Sequence, residues 1–149
     1  MKNKIAFLFP GQGSQYGGLG LNISKFYKKS KNYYKIAENI LGFDIEEISF
    51  DKKSEKINST NITQPAIFIN SVIKNLILKE KNIIPKAVAG HSLGEFSALF
   101  SADVLTFEDA LEEFFKCTSC GGVLNLKKNE KLQKAFAKQI DKIRKETPG

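Results

Sequence analysis

The chain has 149 residues and a formal net charge of +7, with 42% hydrophobic and 26% charged residues, which fits one globular domain or part of a larger one. No stretch approaches an apolar membrane span. Two cysteines three positions apart, Cys117 and Cys120, exclude a disulfide framework, so a reducing, cytoplasmic location is expected.

The charge is uneven: residues 116–149 hold nine basic side chains against three acidic ones. Such a tail suits nucleic acid, an anionic membrane surface, an acidic protein or simply a solvated helix face. Specific nucleic-acid readout is poorly supported. The whole chain has a single arginine, Arg144, and the tail a single aromatic, Phe136, whereas base recognition leans on arginine and on stacking. No nucleic-acid or membrane partner is expected.

In chain order, Lys4–Phe9 is a short apolar run stopped by Pro10-Gly11, which predicts a buried first strand and ends the run before a signal-peptide core is complete. Residues 11–18 form a glycine-rich loop. Apolar residues from Leu21 to Leu41 recur near helical spacing and predict two helices broken near Ser30, the second ended by Gly42. Residues 51–62 are polar and loop-like. Thr63-Gln64-Pro65 predicts a helix start, with Thr63 as N-cap and proline in the first turn, for a helix running to about Lys79 that is apolar on most sides.

The apolar run at residues 83–89 is followed by Gly90-His91-Ser92-Leu93-Gly94, the G-x-S-x-G pattern of a nucleophile elbow. At such a turn the serine hydroxyl projects over the sheet edge. The first N–H groups of the next helix, expected over about Leu93–Leu99, aim at the same spot. The five-residue pattern also arises by chance around surface serines, but strand before and helix after favour the elbow. Further on, Thr106 three residues before Asp109 predicts a helix of about 107–115. Residues 117–122 are expected to break it, and Asn129–Lys145 to form a polar helix with Leu132, Phe136, Ile140 and Ile143 on one stripe. The expected fold is α/β: a parallel sheet flanked by helices, with the elbow at a strand's C-terminal end.

Cys117-x-x-Cys120 has half of a zinc-ribbon ligand spacing, but no second Cys or His pair completes four ligands, so no metal is assigned. A redox pair, plain cysteines and a zinc site shared between chains remain readings of the same two residues.

Residues 9–15, Phe-Pro-Gly-Gln-Gly-Ser-Gln, together with Gly90-His91-Ser92-Leu93-Gly94-Glu95 resemble the signature pair of malonyl-CoA:acyl carrier protein transacylases. Thr63-Gln64-Pro65-Ala66 resembles a third block of that family, and the likeness covers about Lys4–Leu111. It implies a ping-pong transfer in fatty-acid synthesis. Ser92 would take the malonyl group from malonyl-CoA as an ester and pass it to the phosphopantetheine thiol of acyl carrier protein, with no cofactor. It also implies an oxyanion site between the backbone N–H groups of Gln12 and Leu93. The residues alone reach only a serine nucleophile beside a glycine-rich loop.

The chain departs from the family's pattern in two places. The family has a downstream histidine as base, whereas the single histidine here, His91, adjoins Ser92 and is expected to be structural. An arginine that pairs with the malonyl carboxylate falls, on an ungapped count, at Cys117, and a thiol does not replace a guanidinium. The expected organisation is therefore residues 1–115 as the N-terminal part of an incomplete acyltransferase domain and 116–149 as a divergent basic tail, from truncation, frameshift or fusion. Slow or absent malonyl transfer by this chain alone is expected. A serine esterase, or a non-catalytic fragment that binds acyl carrier protein, are the alternatives.

Overall fold

The structure, a computed structural model, describes residues 4–119, with side chains through residue 113. The expected helix at 129–145 and Cys120 lie outside the described residues, as do the side chains of Cys117 and the basic tail.

Strand β1 (Ala6–Phe9) and strand β2 (Ala87–Gly90) pair in parallel, Ala6 opposite Ala87 and Phe9 opposite Gly90. Parallel pairing needs a long crossover, and the whole helical stretch between the strands supplies it. Side chains of paired strands alternate between faces. Phe7 and Phe9 therefore point together into a small core with Ala98, Val88 and Leu78. Leu8, on the other face, is 79% exposed, and Ala6, Ala87 and Ala89 are exposed beside it. The expectation of a buried strand thus holds for one face only, because the described helices cover one side of the sheet.

Helices α1 (Leu21–Phe26) and α2 (Ser30–Leu41) are separated where the chain predicted a break. Gly42, left-handed at φ 79°, ends α2 with its N–H donating to the Glu38 carbonyl. Helix α3 (Ile45–Phe50) stands in a stretch for which no element was expected. Its signal is legible in hindsight: Asp44 caps it by accepting from the Glu47 N–H at 2.8 Å, the start of an Asp-x-x-Glu box.

Residues 55–58 form a 3₁₀ turn, and helix α4 (Thr60–Glu80) begins earlier than predicted, with Ser59 at its N-cap. Thr63 is not the cap. Its hydroxyl turns back and donates to the carbonyls of Ile57 (2.5 Å) and Ser59 (3.0 Å), a role the threonine can fill only one turn inside the helix. Pro65 accordingly lies inside α4, past the first turn.

Helix α4 is the hub of the main core. Phe68, fully buried, stacks on Phe107 (5.6 Å, 15°) and meets Phe100 edge-on (6.4 Å, 86°). Helix α5 (Gly94–Ser101) follows β2, and helix α6 (Phe107–Ser119) follows α5. Thr106 caps α6 as its spacing predicted, its hydroxyl accepting from the Asp109 N–H at 3.1 Å. The helix runs past 115 to Ser119 because its sequence meets no glycine or proline before Gly121.

Candidate active site

Ser92 occupies the turn between β2 and α5, exposed to solvent. Its φ of 53° is left-handed, a region a side chain enters at a cost of about 1–2 kcal/mol. The surroundings impose it. The ladder continues one residue past β2, with the His91 N–H donating to the Phe9 carbonyl at 3.1 Å. The chain must then reverse at once, because Gly94, Glu95 and Phe96 donate to the carbonyls of His91, Ser92 and Leu93 at 2.9–3.1 Å and start the helix. Gly94 passes directly under the end of β1. A Cβ there would collide with the Phe9 carbonyl, so only glycine fits.

Leu93, next to the serine, is buried with its side chain in the main core. Its N–H sits at the open start of α5 and, among the described residues, donates no hydrogen bond.

Gln12 lies in the loop that leaves β1, at the same C-terminal end of the sheet as Ser92. The register Phe9–Gly90 brings this about: two short exits from paired strands must run beside each other. Gly11 packs against the elbow so tightly that a Cβ on it would lie 2.6 Å from the His91 carbonyl and 3.1 Å from His91 Nδ1. Gln12 and Ser92 are therefore the next residues on either side of a direct contact. The Gln12 N–H also has no hydrogen-bond partner among the described residues. His91 is exposed, with its ring laid along Gly11.

The glycine-rich loop is tied to the start of α4 by contacts that no local pattern announces. Gln12 Nε2 donates to Thr60 Oγ1 (3.4 Å) and Gln15 Nε2 to Asn58 Oδ1 (3.3 Å). Within the loop, Ser14 Oγ donates to the Gly11 carbonyl (2.9 Å) and the Gly13 N–H to Gln15 Oε1 (2.8 Å).

The titrating groups with shifted protonation lie elsewhere. Partial burial, reinforced by a hydrogen bond to Glu80, pushes Tyr27 up to about 12, and burial raises Tyr34 further. Tyr27, Glu80 and Lys29 line a groove of 730 Å³ beside α6 that does not include Ser92. Among the described residues, no group of three or more His, Cys, Asp or Glu could hold a metal ion, and no helix is long and apolar enough to cross a membrane.

A parallel pair of strands whose exits carry a left-handed serine and a glycine-rich loop, with N–H groups of both unengaged among the described residues, has the local geometry of a nucleophile elbow in an α/β fold. The chain belongs to the acyl transferase domain family, whose model matches residues 6–146. It is 40% identical over 111 residues to the malonyl CoA-acyl carrier protein transacylase of Bacillus subtilis, covering 74% of this chain and 28% of that protein. A structure of MCAT from Streptococcus pneumoniae superposes with a TM-score of 0.72 at 42% identity, covering 78% of this chain and 38% of that one. A type II PKS acyl-carrier protein in complex with its malonyl-transacylase matches with a TM-score of 0.73 at 33% identity, again covering 78% and 38%. The chain thus spans roughly a third of the length of the relatives it matches.

Proposed function

We propose that this chain carries the nucleophile and oxyanion half of a malonyl-CoA:acyl carrier protein transacylase site, working in the cytoplasm without a cofactor. The observation that carries this reading is the meeting of two strand exits: Gly11 packed on His91 brings the loop that carries Gln12 against the turn that carries Ser92. The named relatives support malonyl-CoA and acyl carrier protein as the partners, and none of them favours the esterase alternative.

In the first half-reaction the Ser92 oxygen bonds to the thioester carbon and gives its proton to solvent. The C–S bond then breaks, and CoA departs as a thiol by taking up a proton. The transient oxyanion is held by the Gln12 and Leu93 N–H groups, donors already in place before charge develops. In the second half the thiol of the carrier's phosphopantetheine arm attacks the ester. Its C–O bond breaks, the attacking thiol gives its proton to solvent and Ser92 takes one up from it. His91, laid along Gly11, packs the oxyanion loop and is not the base. With Cys117 at the position where the resemblance places an arginine, the preference for malonyl over acetyl is weak.

The test is covalent labelling. Purified chain is incubated with malonyl-CoA and, separately, acetyl-CoA, and Ser92 modification is followed by intact-protein and peptide mass spectrometry. Slow acylation by both, absent in Ser92→Ala and discharged by added carrier protein, is the expected result. Label retained in Ser92→Ala, or hydrolysis of a simple ester without any transfer to carrier protein, would overturn the reading.

A further inference from the structure

The glycine-rich loop offers one N–H to the reaction, and its aim depends on the orientation of a single peptide unit. The Gly11 carbonyl and the Gln12 N–H belong to the same peptide, which is planar and trans, so the two groups point in opposite directions. Whatever holds the carbonyl therefore aims the N–H. Ser14 Oγ holds it, donating to the Gly11 oxygen at 2.9 Å from three residues on. A carbonyl has no proton to give, so in this bond the serine hydroxyl is the donor.

From this geometry we infer that Ser14 is a positioning residue: its hydroxyl anchors the Gly11–Gln12 peptide so that the Gln12 N–H faces the oxyanion formed at Ser92. The inference rests on the oxyanion assignment proposed above. Two further observations and one general property of hydrogen bonds support it. Gly11 is pressed against His91, so the anchored peptide borders the elbow directly. The following peptide is held as well, through the Gly13 N–H on Gln15 Oε1 and Gln15 Nε2 on Asn58, while the Gln12 N–H between these two anchored groups is unengaged among the described residues. A hydrogen bond accepted by a carbonyl also polarises its peptide, which strengthens the N–H on the other side.

Ser14 does not touch the reacting atoms in this scheme, and it is exposed, so Ser14→Ala leaves the core intact. The experiment compares wild type, Ser14→Ala and Ser14→Thr of the full 149-residue chain by two readouts. The first is the rate constant of Ser92 acylation across malonyl-CoA concentrations. Ser14→Ala should lower the saturating rate about fivefold, the worth of one hydrogen bond, at an unchanged half-saturating concentration. Ser14→Thr, which keeps the hydroxyl, should stay within about twofold of wild type on the same grounds. The second is the Gln12 amide resonance and its hydrogen exchange by NMR. Ser14→Ala should displace the resonance and speed exchange, and Ser14→Thr should restore both.

A rate loss that appears in half-saturation alone, equal rates for wild type and Ser14→Ala, or a Ser14→Thr as impaired as Ser14→Ala would each overturn the inference. Should the wild type take no malonyl group at all, the proposed function fails, and the amide readout decides the positioning role by itself. An unmoved Gln12 resonance in Ser14→Ala then overturns it, and a displaced one upholds it.

Discussion

Replacing Ser92 by glycine should make the protein more stable while removing its proposed nucleophile. The serine is held at φ 53°, where an L side chain costs about 1–2 kcal/mol relative to ordinary conformations. Glycine removes that penalty but gives back about 0.5–1 kcal/mol through the extra freedom of the unfolded chain. Ser92 is exposed and forms no side-chain hydrogen bond among the described residues, so little else is lost. The net gain is about 0.5–1 kcal/mol, or roughly 1–4 °C in Tm for a domain of this size. Ser92→Ala is the control, since it removes the hydroxyl and keeps the Cβ, and its Tm should match wild type. The assay is differential scanning calorimetry of the three proteins in one buffer, with urea melts as a second measure. A Ser92→Gly protein that melts below Ser92→Ala would refute the claim that the elbow stores backbone strain at Ser92. A second control comes from Asn82 at φ 58°, because asparagine tolerates this region and Asn82→Gly should therefore gain less.

At Gly94 the opposite result is expected. Gly94→Ala drives a Cβ into the Phe9 carbonyl and should cost several kcal/mol, of the order of 3, with loss of cooperative melting by circular dichroism. Phe68→Ala empties the centre of the aromatic cluster and should cost about 3–5 kcal/mol in urea unfolding. The raised tyrosines predict alkaline loss of stability. Their folded values lie above the ordinary 10.0, so the stabilisation is complete below pH 10 and fades as pH rises toward 12 and beyond. Melts between pH 9 and 12 should show this decline, and Tyr27→Phe together with Tyr34→Phe should flatten it.

Much of the fold was legible in the sequence because its signals are local. The elbow, the break near Ser30, the Gly42 terminator and the Thr106 cap each depend on residues within four positions of one another, so each can be read without knowing what packs nearby. The Thr63 expectation shows where local logic stops. Threonine before a proline satisfies the rules for a helix start, yet the earlier turn at residues 55–58 presents the Ile57 carbonyl to its hydroxyl, and the helix begins at Thr60. The chain by itself also determined that Ser92 lies in a turn from a strand to a helix, since glycine spacing and the apolar run before it leave few other conformations.

Only the tertiary structure decided what stands beside that serine. Pairing of Phe9 with Gly90 lays the glycine-rich loop along the elbow across some 80 residues of sequence, and it turns Phe7 and Phe9 inward and Leu8 outward. The same holds for Gln12 on Thr60 and Gln15 on Asn58. Such contacts have no period and no fixed offset along the chain. They arise because a parallel pair of strands places its two exits at one end, and that pairing is fixed by the burial of two phenylalanines against α5 rather than by any residue of the loops themselves.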